Sequence, residues 1–244
     1  MIKVLHLFPK LNVLLMEVLD QLQPQQWDKA TICKEWTVKD IAAHLLDGAL
    51  RRLSAGRDGY PLKTSNINSY QDLLEHLNRL NADWVKAYGR VSPQILRKQL
   101  YTIQNELYEY MLGLDPDAAA LFPVFWAGEE RSSNWLEIAR EYTEQWLHQQ
   151  QIRQAVGAQS LLGTELYHPF LKICMQALPF HYKEIQAVSG TLVTIGIVGE
   201  AGGSWSVIRT EQGWEFSDSG RPADAQIYID QNIAWMLFSK GMDI

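Results

Sequence analysis

Apolar residues recur at steps of three and four through about residue 155, the spacing of one buried face of an α-helix. The first such stretch covers residues 7–23. A second starts at Thr37, where Thr37 and Asp40 fit a capping box. Further helices are predicted at residues 70–88, 93–112 and 134–155. Long amphipathic helices joined mostly by short loops predict an up-and-down helical bundle over residues 1–158.

The pattern changes after Gly163. Residues 165–185 are still expected to be helical, but β-branched residues and glycine turns dominate the chain beyond them. The strands predicted there are residues 191–198, 205–210, 214–217 and 225–230, followed by a short helix at residues 232–240. The predicted fold class is therefore an α-helical bundle followed by a small α+β domain with an antiparallel sheet, residues 164–244.

Composition narrows the classes of partner. The 244-residue chain is 47% hydrophobic and carries a formal net charge of −6, which argues against nucleic acid binding because no basic patch is present. Cys33 and Cys174 form no CxxC pair, which excludes a cysteine zinc site and is typical of the reducing cytoplasm. The apolar N-terminus is interrupted by Pro9 and Lys10, so we expect a first helix there and no signal peptide. No stretch is long enough to span a membrane.

The helix at residues 134–155 carries the most informative pattern. One stripe along it is apolar at both ends and polar in the middle, with Glu144 beside it. The stripe consists of Ile138, Glu141, Gln145, His148, Ile152 and Ala155. A core stripe normally stays apolar, because an unpaired buried charge costs several kcal/mol. A bound divalent ion would remove that conflict.

Glu144 and His148 are four residues apart, so their side chains project from one face of the helix and can share an ion. The best third ligand is His44, which lies within the second helix beside the apolar Ile41 and Leu45. Two histidines and one carboxylate suit zinc and, less specifically, nickel, iron or manganese. Glu144 and His148 at this spacing also fit a surface pair, and His44 alone also fits a hydrogen-bonded core histidine.

Two segments resemble a known family. Residues 27–45, with Cys33-Lys-Glu-Trp36-Thr37-Val38-Lys39-Asp40-Ile41-Ala42-Ala43-His44-Leu45, are similar to the opening signature of the mycothiol-dependent maleylpyruvate isomerase family, part of the DinB-like superfamily. Residues 134–153, which include Glu144-Gln145-Trp146-Leu147-His148, are similar to its last bundle helix. The C-terminal part resembles the small domain of this bacterial family that is similar to sterol carrier protein 2 (SCP2-like).

The resemblance implies a four-helix bundle in which His44, Glu144 and His148 hold a metal, usually zinc. It also implies a low-molecular-weight thiol cosubstrate such as mycothiol, bacillithiol or glutathione, used with a small-molecule substrate. The function expected is isomerisation or S-transfer, in which a thiolate adds to an activated double bond or displaces a leaving group. A metal-dependent hydrolase that activates water, and a non-catalytic metal- and ligand-binding protein, stay open as alternatives.

Other residues have weaker signals. Arg51 is a candidate for binding a substrate carboxylate, and Glu141 for orienting a metal ligand, although both also fit ordinary ion pairs. Asp40 is better explained by capping. Cys33 lies in a loop without an adjacent histidine, so a structural thiol is expected there. Trp36 is expected to form part of the core or a pocket wall.

Overall fold

The computed structural model describes residues 1–60, 69–239 and 241. The helices in chain order are α1 Phe8–Asp20, α2 Val38–Arg52, α3 Tyr70–Tyr88, α4 Pro93–Leu112, α5 Asn134–Val156, α6 Thr164–Met175, α7 Leu178–Tyr182 and α8 Gln231–Phe238. The strands are β1 Leu192–Val198, β2 Gly203–Arg209, β3 Trp214–Phe216 and β4 Ala225–Asp230. The last residue of the helix predicted at 232–240 lies outside the described residues.

These elements form two compact units. The helical unit contains Leu5–Asp115 and His148–Gln159, and the sheet unit contains Met1–Val4, Pro116–Leu147 and Ser160–Ile244. The division falls within α5, which therefore supplies residues to both units. The domain boundaries expected from the sequence, at residues 158 and 164, stay a prediction.

Local capping explains why three of the helices begin where the sequence predicts. The Thr37 hydroxyl accepts the Asp40 N–H at 3.3 Å, and the Asp40 carboxylate accepts the Thr37 N–H at 3.0 Å, which confirms the capping box of α2. Ser69 and Ser92 cap α3 and α4 with their hydroxyls. Beyond its end, α2 continues as a π-helical turn, Leu53–Arg57.

One apolar core holds the helical unit together. Its buried residues come from α1, α2, α4 and the last turns of α5, and they include Leu15, Ile41, Leu46, Leu100 and Ile152. Four helices around a shared core confirm the predicted bundle. The third helix packs against α2, where the Trp84 indole N–H donates to the Ala43 carbonyl at 2.9 Å.

The polar stripe of α5 is buried, as the sequence predicts. Glu141, Gln145 and His148 are each less than 10% exposed, and the apolar ends of the stripe at Ile138 and Ile152 are buried too. Burial of so many polar groups on one helix requires that they pair with one another, with main chain or with a ligand. The buried polar side chains of α5 are therefore the first place to look for a bound ligand.

The sheet unit contains a four-stranded sheet in the order β3-β2-β1-β4. The two hairpin neighbours, β1 with β2 and β2 with β3, are antiparallel as predicted. The last strand pairs parallel to β1, with Ile195 opposite Ile227, so the sheet is mixed and the fully antiparallel prediction is wrong. The reason is the connection: residues 217–224 lead the chain back past β2 and β1, and β4 then enters on the far side of β1 in the same direction.

The predicted helix at residues 165–185 is two helices, α6 and α7, separated by a short turn. In the sheet unit, the buried Trp146, Tyr167 and Phe170 form an aromatic cluster, in which the Trp146 and Tyr167 rings stack with centroids 4.8 Å apart. The Tyr142 hydroxyl donates to the Leu166 carbonyl at 2.7 Å and ties α5 to α6. Among the described residues, no helix has the length and apolar character needed to cross a membrane.

Candidate metal centre

Two imidazole rings from different helices meet in the helical unit. The rings of His44 on α2 and His148 on α5 have centroids 4.7 Å apart, with their planes at 76°. The neighbours of His44 on α2, Ile41 and Leu45, are buried in the core and set the rotation of that helix. His148 is itself only 8% exposed. The structure thus brings together the two histidines that the sequence singled out.

Glu144 lies one helical turn before His148 on α5. One ligand atom from each of His44, Glu144 and His148 falls within 4.8 Å of the other two. Metal sites need at least three histidine, cysteine or acidic side chains close together. Within the described residues, these three side chains form such a group.

The donor set suits a divalent cation. Two imidazole nitrogens and a carboxylate oxygen are ligands that zinc accepts at about 2.0–2.2 Å, which places neighbouring donors roughly 3.4 Å apart in a tetrahedron. Donors within 4.8 Å of one another therefore need small side-chain movements, of about 1 Å, to share one ion. Three protein donors leave a fourth tetrahedral position for another ligand.

Trp36 covers the two imidazoles. Its ring centroid lies 4.7 Å from that of His44 and 6.1 Å from that of His148, tilted by 43° and 39°. The preceding loop is held in place by Thr31, whose hydroxyl donates to the Trp36 carbonyl at 2.8 Å. The sequence predicted core or pocket wall for this residue, and in the structure it forms a wall of the histidine pair.

A buried glutamine contacts the second histidine. Oε1 of Gln151 lies 2.8 Å from Nδ1 of His148, one turn along α5, and Gln151 is 4% exposed. Sequence reasoning did not select Gln151, because a glutamine in the run Gln149-Gln150-Gln151 has no distinctive spacing of its own. The one signal in the sequence that could have suggested this contact is the three-residue offset between His148 and Gln151, which places both side chains on one face of the helix.

A cation and three carboxylates lie along the first half of α5. Nη2 of Arg140 is 3.3 Å from the buried carboxylate of Glu141. Burial by itself lowers the pKa of Arg140, but the charges of Glu141, Glu144 and Glu137 outweigh it and raise that pKa above its ordinary value. Glu141 is thus paired with a neighbouring guanidinium, and its expected role in orienting a metal ligand stays a prediction.

Arg51 is engaged on α2. Its guanidinium lies 3.0 Å from the Asp47 carboxylate and donates to Asn81 at 3.1 Å, which links α2 to α3. Burial raises the pKa of Asp47, and the charge and hydrogen bond of Arg51 offset part of that rise. A role for Arg51 in binding substrate stays a prediction.

Cys33 has the environment of a structural thiol. It is partly buried against the core, and burial together with the negative charge of Glu35 raises its pKa. A raised pKa disfavours the thiolate, which is the nucleophilic form. Asp40 caps α2, as expected from the sequence.

The fold has two compact units, and helices α2 and α5 carry two histidines and a glutamate with the spacing of metal ligands. The sequence model of the mycothiol maleylpyruvate isomerase N-terminal domain matches residues 11–153, more than half of the chain. The chain belongs to the mycothiol maleylpyruvate isomerase N-terminal domain family, and the resemblance seen in the sequence is confirmed.

A solved structure shares the fold over both units. It is a crystal structure of the mycothiol-dependent maleylpyruvate isomerase, in a mutant with one histidine replaced by alanine. The match has a TM-score of 0.58 at 10% identity and covers 98% of this chain and 88% of that chain. At this identity the similarity concerns the fold. A search of curated protein sequences gives no significant match.

Proposed function

We propose that this protein is a divalent-metal-dependent enzyme that uses a low-molecular-weight thiol, of the mycothiol, bacillithiol or glutathione type, in isomerisation or S-transfer. Membership of the family supports the thiol and the reaction class. Zinc is the proposed ion, with His44, Glu144 and His148 as its ligands. The observation that carries the proposal is the meeting of these three donors within 4.8 Å.

The chain's own residues would divide the work as follows. The two imidazoles and the Glu144 carboxylate hold the ion, and their combined charge of −1 leaves a net positive centre that attracts an anionic ligand. Trp36 shields the imidazoles on one side, where its ring lies 4.7 Å from His44. This shielding lowers the local dielectric and strengthens each charge interaction at the centre.

A bound divalent ion lowers the pKa of a thiol that shares its coordination sphere, which supplies a nucleophile at neutral pH. The protein offers no competing activated thiol of its own in the described residues, because burial raises the pKa of both Cys33 and Cys174. The nucleophilic sulfur is therefore proposed to come from the cosubstrate. Addition of that sulfur to a double bond and its later departure would isomerise the bond without net consumption of thiol.

A cytoplasmic location belongs to the same proposal. Cys33 and Cys174 are both free thiols, which suits a reducing compartment. Small thiol cosubstrates are kept in their reduced form there as well. The likeness of the C-terminal domain, residues 164–244, to SCP2 also stays a proposal, with no ligand assigned to it.

The decisive experiment combines metal analysis with thiol titration. The purified protein is expected to contain about one equivalent of zinc. After replacement by cobalt, its visible spectrum should change on addition of mycothiol, bacillithiol or glutathione. Maleylpyruvate is then tested as a substrate with the thiol that binds. The Glu144→Gln variant should lack the visible absorption of bound cobalt. The His181→Ala variant, changed at an exposed position on α7, should retain it.

The outcomes separate the rival functions. A spectrum that no thiol perturbs, together with ester or amide hydrolysis, would replace the thiol reaction with hydrolysis by bound water. Metal without thiol binding or turnover would leave a metal-holding binding protein. A protein that takes up no metal would overturn the proposal at its base.

A further inference from the structure

A buried glutamine contacts a ring nitrogen of one histidine in the helical unit. Nδ1 of His148 and Oε1 of Gln151 are 2.8 Å apart, and both side chains are more than 90% buried. An amide carbonyl oxygen can only accept a hydrogen bond, so this contact is a hydrogen bond when Nδ1 of the imidazole carries a proton. In that tautomer the lone pair of the ring is on Nε2.

We infer that Gln151 is a positioning residue for His148: it holds the ring in the Nδ1–H tautomer and leaves Nε2 as the ligand atom. The inference rests on the proposed metal site. Ligand histidines commonly donate their other ring N–H to a carbonyl or carboxylate, which fixes the tautomer and orientation of the ring and raises its basicity. Here the acceptor is the neutral amide of Gln151, which lies on the same helix as His148.

The geometry supports positioning over simple packing. Gln151 and His148 are three residues apart on α5, so the helix itself sets their separation. The ring of His148 is further restrained by His44, with centroids 4.7 Å apart, and by Trp36 at 6.1 Å. With the ring held by these two contacts, the bond to Gln151 favours the tautomer that carries its proton on Nδ1.

The neighbouring Gln149 offers a matched control. It is also buried, at 1% exposure, but its amide donates to the main-chain carbonyl of Leu11 at 2.9 Å and so ties α5 to α1. A leucine at either position removes one amide and one buried hydrogen bond from the same helix. Only the change at residue 151 removes the partner of a proposed ligand.

The test compares zinc affinity in Gln151→Leu, Gln151→Glu and Gln149→Leu, by competition with a chelator at fixed pH. We expect Gln151→Leu to weaken zinc binding by about 10–100-fold. Gln151→Glu keeps an acceptor for the Nδ1–H and should bind zinc at least as tightly as the wild type. Gln149→Leu should lower the melting temperature of the metal-free protein while leaving zinc affinity within about twofold.

Wild-type zinc affinity in Gln151→Leu, or an equal loss in Gln149→Leu, would overturn the inference. Nitrogen-15 NMR of the metal-free wild type adds a readout that needs neither a variant nor metal. The His148 ring should be protonated at Nδ1, and an Nε2–H ring would overturn the inference. If zinc fails to bind at all while the Nδ1–H ring is observed, the proposed function falls but the role of Gln151 in fixing the tautomer stands.

Discussion

The imidazoles of His44 and His148 meet edge to face, 4.7 Å apart, although they belong to different helices. Neither ring would be placed there by its own helix alone. The burial of α2 through Ile41 and Leu45, and of α5 through Ile152, brings them together. The proposed centre therefore depends on the same apolar core that stabilises the helical unit.

Removal of one ring should abolish tight metal binding without unfolding the bundle. For His148→Ala we expect zinc affinity to fall by more than the roughly 10–100-fold effect of losing an outer hydrogen-bond partner, because a ligand bond itself is lost. Chelator competition measures the affinity, and circular dichroism checks the helices. His181→Ala is the control, since residue 181 is exposed on α7. Zinc affinity unchanged in His148→Ala would contradict the ligand assignment.

The contribution of Asp47 to the stability of the metal-free protein should fall as the pH rises, whereas a salt-bridged carboxylate usually contributes more at higher pH. Burial raises its pKa in the folded state, only partly offset by Arg51, so the folded protein holds this proton more tightly than the unfolded chain. The stability it contributes is present below the unfolded pKa and is lost as pH rises through the raised pKa. The Asp47→Asn variant has no titrating carboxyl at this position and therefore serves as the reference.

The measurement is urea unfolding of both proteins from about pH 4 upward, with a chelator present. The free energy of unfolding of the wild type, relative to Asp47→Asn, should decline over this window. A relative stability that climbs with pH would mean that Arg51 dominates the environment of Asp47. That result would reverse the sign of the predicted shift.

Tyr142 ties α5 to α6 within the sheet unit. Its buried hydroxyl donates to the Leu166 carbonyl at 2.7 Å. Tyr142→Phe leaves that carbonyl without this donor, so the free energy of unfolding should fall by about 1–3 kcal/mol. Tyr228→Phe is the matched control, because Tyr228 is 66% exposed, and it should cost less than about 0.5 kcal/mol. Equal effects in denaturant unfolding would argue against a structural role for the Tyr142 hydroxyl.

Gly128 is required for two reasons in the sheet unit. Its φ is +84°, and a Cβ added there would lie 2.6 Å from Cδ2 of Phe180. Gly157 has a similar φ of +70° with nothing within 4 Å of the added atom. Gly157→Ala should therefore cost about 1 kcal/mol from backbone strain alone, and Gly128→Ala should cost more by about 1–3 kcal/mol. Thermal unfolding of the two variants measures the difference, and equal losses would show that Phe180 moves aside freely.

The helices were predictable because their signals are local. Capping residues such as Thr37 lie next to the helix they start, and the apolar periodicity of each helix is contained within it. The direction of β4 was not predictable in this way, since its pairing with β1 depends on where a distant strand lies. A strand pattern records which residues face a core, and it does not record the orientation of the neighbouring strand.

The candidate site shows the same limit. Spacing on one helix linked Glu144 to His148, and the apolar neighbours of His44 on the second helix made it the best third ligand. The meeting of the three side chains depends on how the two helices pack, which the sequence pattern does not record. Gln151 and Arg140 escaped sequence reasoning because glutamine and arginine are common helix residues. Their contacts, 2.8 Å to His148 and 3.3 Å to Glu141, become visible only in three dimensions.

The strand order of the sheet also bears on how the protein is made. β1 is the most deeply buried strand of this sheet, and one of its two neighbours, β4, is the fourth of the sheet's strands in chain order. Until residues 225–230 emerge, the nascent chain exposes an apolar β-edge that can pair with other unfinished chains. Synthesis of this protein should therefore benefit from a chaperone during the interval between emergence of the β1–β2 hairpin and arrival of β4.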